Sequence, residues 1–588
     1  MSVESLITQH IDIWTSAVQT KSTAGRGTSS KLDLYGIKKL RELILELAVR
    51  GKLVPQDPND EPASVLLERI AQNKIQLVKE GVIPKTKSLP PIQSDDIPKD
   101  LPLGWEVIRL GNITSKMGSG STPRGGQKAY VEKGIIFLRS QNVWNEGIKL
   151  DDVAYISCDV HEKMSNTRVQ PGDVLLNITG ASLGRTAIFP DEFVEANVNQ
   201  HVTIIRLVEL GMNKFVHMGL MSPMVQKLVW GRQVGMAIEG LSKKVLELFE
   251  FPIPPLTEQH RIVAKVDELM KLCDQLEQQT EASIAAHQVL VETLLATLTN
   301  SKNAEELMEN WQRISVHFDT LFTTEESIDQ LKQTILQLAV MGKLVPQNPA
   351  DEPASELLKR IAKEKAQLVK EGKIKKQKAL PPISDDEKPF ELPNGWEWVR
   401  LGVALKKITD GTHHSPPNTE SGDYLYISAK NIKENGVQLS NASFVTEQIH
   451  NEIYGRCDPE YGDILYIKDG ATTGIATIND IEEPFSMLSS VALLKCPRAL
   501  LNTFLLISLR APSFYAEIRA GMSGVAITRV TLKKLENAFI SIPPLNEQIS
   551  IVNRVEQLLS LCEQLKDNIR DSQKTQLQLT DAIVKQAM

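Results

Sequence analysis

The chain states one block of sequence twice. Gly51-Lys52-Leu53-Val54-Pro55-Gln56, followed by Asp60-Glu61-Pro62-Ala63-Ser64, returns as Gly342-Lys343-Leu344-Val345-Pro346-Gln347, followed by Asp351-Glu352-Pro353-Ala354-Ser355, 291 positions further on. The register holds without a gap from Leu40/Leu331 to Trp105/Trp396, and Ile253-Pro254-Pro255-Leu256 and Ile542-Pro543-Pro544-Leu545 close the two halves. Between the opening and closing blocks lie stretches that resemble each other only faintly. A constant frame therefore carries two different inserts, and the chain is an internal dimer.

With 588 residues the chain exceeds a single core, and domains of ~100–200 residues allow three to five units. The duplication predicts an even number. Hydrophobic content of 41% and charged content of 24% are ordinary for a globular protein. No run of about 18 apolar residues stands out, so no membrane span is expected. The first residues, MSVESLITQHIDIW, lack a basic stretch before an apolar one, which argues against a signal peptide and for a cytoplasmic location. The five cysteines, Cys158, Cys273, Cys457, Cys496 and Cys562, are odd in number and widely spaced, as expected of reduced structural thiols rather than a disulfide or zinc framework. The net charge of −7 does not advertise a nucleic-acid binder. Both inserts are near neutral, so any contact with DNA has to come from local clusters or from a partner.

Residues 33–50 read as an amphipathic helix ended by Gly51, with Ile37, Leu40, Ile44 and Leu47 on one face. A charged helix follows at 62–81 and is repeated at 353–372. Pro-rich connectors then lead to Trp105 and Trp396. The inserts, 103–253 and 394–541, consist of short β-branched runs between Gly, Asn and Asp turns. They share a skeleton, Gly172-Asp173-Val174-Leu175 with Gly462-Asp463-Ile464-Leu465 and Gly180 through Gly184 with Gly470 through Gly474. A long helix follows each insert, over 254–300 and 542–588. Its heptad seam runs through Ile262, Val266, Leu269, Cys273, Leu276, Thr280, Ser283, His287, Leu290 and Leu294 in the first, and Ile551, Val555, Leu558, Cys562, Leu565, Ile569, Leu579 and Ile583 in the second. At ~1.5 Å per residue each is a rod of roughly 60 Å. A pseudo-two-fold repeat makes the two rods antiparallel. The expected fold is α+β, with two mostly-β domains joined by two long antiparallel coiled-coil helices. Helical regions with Pro-rich connectors at 1–102 and 301–393 precede the β domains.

Catalytic signatures are missing. There is no phosphate loop, no H-E-x-x-H, no C-x-x-C and no G-x-S-x-G elbow. Gly118-Ser119-Gly120-Ser121-Thr122-Pro123 lacks the final glycine of a dinucleotide site. His413-His414 has no carboxylate cluster around it in sequence and reads as an exposed polar loop or a DNA contact rather than a metal site. The chain is not expected to be an enzyme by itself, and no cofactor or metal is assigned to it.

The order of these motifs is specific: Leu103-Gly104-Trp105-Glu106 with Leu110-Gly111, Gly120-Ser121-Thr122-Pro123, Pro171-Gly172-Asp173, Ile253-Pro254-Pro255-Leu256-Thr257-Glu258-Gln259, and their second-half equivalents. Over nearly its whole length the chain resembles the DNA-specificity subunit of type I restriction-modification systems. The helical block before each variable domain resembles the IB subfamily. The resemblance implies that each variable domain is a target-recognition domain reading one half of a split, asymmetric double-stranded DNA sequence, with the helices as the ruler. It also implies two modification subunits that use S-adenosylmethionine to methylate adenine, and two restriction subunits that use ATP and Mg2+, all outside this chain. No membrane partner is implied. The competing reading is an interaction scaffold whose β domains bind protein.

Base edges are read by Arg or Lys on guanine and by Asn or Gln on adenine. In the first domain the candidates are Ser119, Ser121, Thr122 and Arg124; Arg139, Ser140, Gln141 and Asn142; Asn177, Thr179 and Ser182; Asn199, Gln200 and His201; and Arg232 and Gln233. In the second they are Thr412, His413 and His414; Ser428, Lys430 and Asn431; Lys468, Asp469, Thr472 and Thr473; and Arg519, Ser523, Thr528 and Arg529. Lys243, Lys244, Lys533 and Lys534 are expected on phosphate, where contact positions without specifying.

Overall fold

The structure is a computed structural model that describes residues 3–21, 31–85, 87–93, 100–233, 240–520 and 529–588. It divides into two compact units, one of residues 1–283 with 572–588 and the other of 284–571. Each long helix, Leu256–Asn300 and Leu545–Ala587, therefore gives its last part to the other unit.

In the first unit the repeat helix Tyr35–Val49 buries Ile37, Leu40, Ile44 and Leu47, the expected face, and the chain turns at Gly51 with φ +67°. A Cβ there would stand 2.3 Å from Pro102 Cγ and 3.0 Å from the Trp105 ring, so the position requires glycine for both conformation and space. Gly342 repeats this with φ +67° and with Pro393 and Trp396 as the neighbours.

The three repeated motifs converge. Trp105 Nε1 donates to Glu258 Oε2 at 3.0 Å, and Gln56 Nε2 donates to Gly51 O at 2.8 Å and to Glu258 Oε1 at 3.2 Å. In the second unit Trp396 and Gln347 hold Glu547 at 3.0 and 3.2 Å. Burial pushes both carboxyls above the usual carboxylate range, because the charged form loses water that these donors only partly replace. The echo in sequence is thus one packing unit, made from the turn, the entry to the β domain and the start of the long helix.

Each β domain holds a four-stranded antiparallel sheet. In the first the order is Thr186–Ile188, Val174–Asn177, Val202–Leu207, Thr114–Ser119, and in the second Lys407–Asp410, Val491–Lys495, Ile464–Ile467, Ala476–Ile478. A second sheet in each domain contains one parallel pair, Ala196–Val198 beside Ile135–Leu138 and Ser486–Met487 beside Tyr424–Ile427. A side chain of each repeat helix takes a backbone N–H of its domain: Glu46 accepts from Met224 N at 2.8 Å in the first unit, and Gln337 accepts from Ser513 N at 2.9 Å in the second. The Asp of the shared Gly-Asp pair closes its turn, Asp173 accepting from Gln170 N and Asp463 from Glu460 N, both at 2.8 Å.

Directions of the long helices follow from hydrogen bonds and ion pairs inside the second unit. Its repeat helix, Glu325–Val340, meets Gln288 through Glu326 at 2.7 Å, and Lys343 beyond its end meets Thr299 O at 2.9 Å, so it runs with the first long helix. It meets Arg570 through Glu325, Lys566 through Asp329 and Glu563 through Lys332, all at 2.6 Å, so it runs against the second. The two long-helix segments of this unit are antiparallel. In the first unit Lys52 donates to Met588 O at 2.7 Å, the place that Thr299 takes in the second.

The heptad seam holds in part. Ile262, Val266, Leu269 and Cys273 are buried, as are Ile551, Val555 and Cys562. Ile583 is buried as well, whereas Leu290 and Leu579 are exposed and Val291, Leu295, Leu298 and Thr580, outside the expected seam, are buried. In the second unit the buried stripe of the first helix faces Ile314, Leu321, Ile328 and Leu331, neighbours that a heptad count on a single helix does not contain. The first long helix also has the length and composition to cross a membrane, which the expectation of no span did not include. Its apolar stretch carries Val291, Leu295 and Leu298 into the core of the second unit, and His287 meets Leu321 O at 3.0 Å. All five thiols are free; Cys273, Cys457 and Cys562 are buried, whereas Cys158 is exposed and has no packing role.

One half-buried carboxyl supplies a pH-dependent term. Glu517, on the helix Pro512–Ala520, lines a cavity with Phe390, Trp398, Phe514 and Phe539. Desolvation raises its pKa to about 7, with Lys534 and Arg400 opposing and Glu387 adding to the rise. A raised folded value favours the protonated form in the fold, so the stabilising contribution is complete below the unfolded value near 4.5 and is lost as pH rises through about 7. Glu517→Gln is expected to raise the unfolding temperature at pH 8 and leave it unchanged at pH 4.5, measured by thermal melts at both pH values. An equal shift at both would show that the carboxyl does not titrate in this range.

Candidate nucleic-acid interface

Strand register gathers most of the candidate residues at one edge. Asn177 pairs with Val202, Thr203 with Ser119, and Leu176 with Thr186, so the loops after 119 and 177 and before 186 and 202 all leave the sheet at the same end. The parallel pair of the second sheet joins them there, because Asn199 N donates to Leu138 O at 3.0 Å. The second domain repeats this, with Asp410 paired to Ala492, Ile467 to Val491, Tyr466 to Ala476, and Leu488 N donating to Ile427 O at 2.9 Å.

The chemistry on the two frames differs. In the first domain Thr122 donates to Gln200, Gln200 Nε2 lies 3.1 Å from His201 Nε2, and His201 Nδ1 lies 2.6 Å from Thr179 Oγ1. A neutral chain of hydrogen bonds thus runs from the 119–124 loop through the 199–201 turn to the 177–182 loop. In the second domain the buried Asp410 receives Arg456 at 2.6 Å, His413 at 3.3 Å and Lys468 at 3.5 Å. Lys468 also meets Asp469 at 3.2 Å, and Asp469 faces Arg529 at 3.9 Å across a short backbone bridge. This is an ionic network with more cations than carboxylates, and its cavity is lined by Asp410, His413, Lys468, Asp469, Ser489 and Arg529. Such a cluster offers charged donors to a guanine edge or a phosphate, whereas the neutral chain offers hydroxyl and amide groups.

Several candidates are corrected by their packing. Asn142 is 2% and Asn431 1% exposed. Asn142 accepts from Arg139 N and donates to Lys149 O at 3.0 Å, while Asn431 accepts from Ser428 N and donates to Gln438 O at 3.1 Å. Both close a hairpin and have no group left for a base. Asn177 is fully buried and donates to Ser140 O at 2.8 Å, which ties two loops together. Thr473 is buried, with its hydroxyl on Gly470 O at 2.7 Å, and Lys468 is buried in the ionic network just described. Arg139 and Gln141 both reach Asp152, Arg139 through its backbone oxygen as well, so the Arg139 charge is partly used inside the fold. Arg232 is drawn to Glu250 at 2.9 Å and the Phe249 ring at 5.8 Å, and Gln233 donates to Trp230 O. Arg519 lies 5.3 Å from the Tyr515 ring, which closes on Gly474 beside the strand-end loops.

Ser119, Ser121, Thr122, Arg124 and Gln200 of the first domain and His413, His414, Lys430, Thr472 and Arg529 of the second remain exposed. Ser140, Thr179, Ser182, Asn199, His201, Thr412 and Ser428 are half-buried at the same edge. Lys243, Lys244 and Lys533 are exposed and Lys534 half-buried on the short helices Lys243–Glu247 and Leu532–Asn537, with Lys243 3.4 Å from Glu247. Ser523 and Thr528 lie outside the described residues. Sequence reasoning passed over Asp410, Arg456 and Ser489, and also Trp144, Lys149 and Arg185. The Asn145-Glu146-Gly147 turn after Trp144 was the available signal, a hairpin with an aromatic residue at its neck.

Residues 102–286 and 393–572 match the family described as the type I restriction modification DNA specificity domain. Over their full lengths the chain is 44% identical to the EcoAI specificity subunit and 43% identical to the EcoEI specificity subunit of type I restriction enzymes of Escherichia coli, covering 100% of each. A crystal structure of the HsdS subunit from Thermoanaerobacter tengcongensis aligns with a TM-score of 0.40 at 19% identity, over 83% of this chain and 98% of that one. The chain belongs to the family of type I restriction-modification DNA-specificity subunits. It is the component that recognises DNA sequence and acts with partner subunits, without catalysis of its own.

Proposed function

We propose that each β domain reads one half of a bipartite, asymmetric duplex target, and that the chain directs methyltransferase and ATP-dependent restriction subunits to it in defence against foreign DNA. The observation that carries this reading is the pairing of one strand-end frame with two chemistries. The neutral chain Thr122–Gln200–His201–Thr179 and the ionic cluster around Asp410 stand at corresponding edges of two copies of one fold. Identical readers would imply a palindromic target; different readers imply unlike halves. The full assembly has two modification and two restriction subunits, which hold S-adenosylmethionine, ATP and Mg2+, and it works in the cytoplasm. A protein-binding scaffold accounts less well for polar loops that diverge while their frame is kept.

The test is co-expression with the methyltransferase subunit and sequencing of adenine methylation in the host genome. A split motif is expected, whose first half alone changes when residues 103–253 are exchanged for those of a relative, and whose second half alone changes when 394–541 are exchanged. A chain that binds its partners stably but yields no motif would favour the scaffold.

A further inference from the structure

A second feature stands at the strand-end edge of the first domain, outside the neutral chain of hydrogen bonds. The hairpin Val143–Trp144/Gly147–Ile148 presents the Trp144 indole, with Lys149 Nζ 4.0 Å and the Arg185 guanidinium carbon 3.8 Å from the ring centroid. Both cations thus lie against one indole. The aromatic faces orient both cations by cation–π attraction without neutralising them. Among the described residues neither cation has a carboxylate partner within 4 Å, unlike Arg139, Arg232 and Lys243 nearby.

The mount is rigid. Trp144 Nε1 donates to Gln141 O at 2.7 Å, Asn145 Oδ1 accepts from Thr186 N at 3.0 Å, and Lys149 N donates to Asn142 O at 2.9 Å. Gly147, at φ +132°, makes the tight turn that brings the two strands together. The buried Asn142, which does not face a base, is the residue that closes this hairpin. Arg185 adjoins Thr186, whose strand partner Leu176 precedes the candidate loop at 177–182. The second domain builds the same hairpin around Asn431 and Gln438 but carries Lys433, Gln438 and Ile475 where the first has Trp144, Lys149 and Arg185. The frame is shared between the halves and the pair of cations on an indole is not.

We propose that the Lys149–Trp144–Arg185 cluster is a phosphodiester clamp, a sequence-independent contact to the DNA backbone that the first recognition domain has and the second lacks. Two oriented cations without a carboxylate partner, beside the candidate loops, carry the charge complementary to a duplex backbone, and they supply local phosphate affinity to a domain whose overall charge is near neutral. The proposal rests on the DNA-reading function above. It adds an asymmetry, in that the first domain holds the duplex more by salt-sensitive contacts at this hairpin than the second does at its counterpart.

The experiment uses the full chain with its methyltransferase subunits and a fluorescent duplex of about 30 base pairs of arbitrary sequence, together with one carrying the target defined by genomic methylation. Affinity is measured across a salt series. For Lys149→Gln with Arg185→Gln, the slope of log K against log salt is expected to fall in magnitude by about 0.9 for each phosphate contact removed, so by about 1.8, with equal weakening on both duplexes. Trp144→Ala keeps the charge and is expected to weaken both duplexes by a smaller factor. An unchanged slope in the double variant overturns the clamp, and so does a loss confined to the target duplex, which would make these residues base readers. If wild type itself shows no salt-dependent binding and no preference for the target, the DNA-reading function fails and not the clamp alone. Equal melting temperatures of wild type and the double variant guard against misfolding, since Lys149 is exposed and Arg185 half-buried.

Discussion

Trp105→Ala is expected to cost the first unit about 3–5 kcal/mol, enough to remove most of the stability of an ordinary domain. The indole is 4% exposed, packs edge-on against Phe215 at 6.3 Å between centroids, and donates to Glu258, a carboxyl that is itself 1% exposed. The substitution opens a cavity and removes a donor from a carboxyl whose ionised form burial already penalises. Trp105→Phe separates these terms, since it keeps most of the volume and removes only the hydrogen bond, with an expected cost of about 1–3 kcal/mol. Chemical denaturation with two transitions resolved is the measurement. The transition belonging to the second unit, which has its own Trp396–Glu547 pair, should not move. A cost below about 1 kcal/mol for Trp105→Ala would mean that the repeated motifs are not the joint of the frame.

Insertion of four helix-forming residues beside Glu281 is expected to lengthen the gap between the two halves of the target. Glu281 is exposed on the first long helix, two residues before the end of the first unit at Ser283. That helix, Leu256–Asn300, has 45 residues and, at ~1.5 Å per residue, a length of roughly 60–70 Å, ample against the ~34–36 Å between half-sites one turn apart. Four residues add ~6 Å and ~40° of rotation, which corresponds to about two base pairs of spacer. The same genomic methylation readout checks it: both halves of the motif retained with a longer spacer is the expected result. Unchanged spacing with full activity would remove the helix from the role of ruler.

The parts legible in the sequence were those that depend on local chemistry repeated in register. Gly51 and Gly342 ended their helices because only glycine takes that φ beside Pro102 and Pro393. The β inserts showed as short β-branched runs between turns, and the first part of each heptad seam showed as a period. The apolar stripe beyond Ser283 was misplaced, with Val291, Leu295 and Leu298 buried in place of Leu290, because a period reveals that a face is apolar and not which neighbour covers it. Polar loop residues were harder still. Asn142 and Gln200 are the same kind of residue at the same sheet edge, yet one closes a hairpin on Lys149 and the other joins an exposed chain with Thr122 and His201.

By itself the sequence determined the duplication, the alternation of a repeated frame with two unlike inserts, and membership in the family of type I DNA-specificity subunits. Those follow from residue identity and spacing. Tertiary structure alone decided which polar groups are spent inside the fold, which remain available, and that one strand edge carries a neutral hydrogen-bonded chain while its counterpart carries an ionic cluster. The physical reason is that a donor or a charge is free or engaged only by virtue of partners distant in the chain, as Asn177 is with Ser140, Arg456 with Asp410, and Arg185 with Trp144.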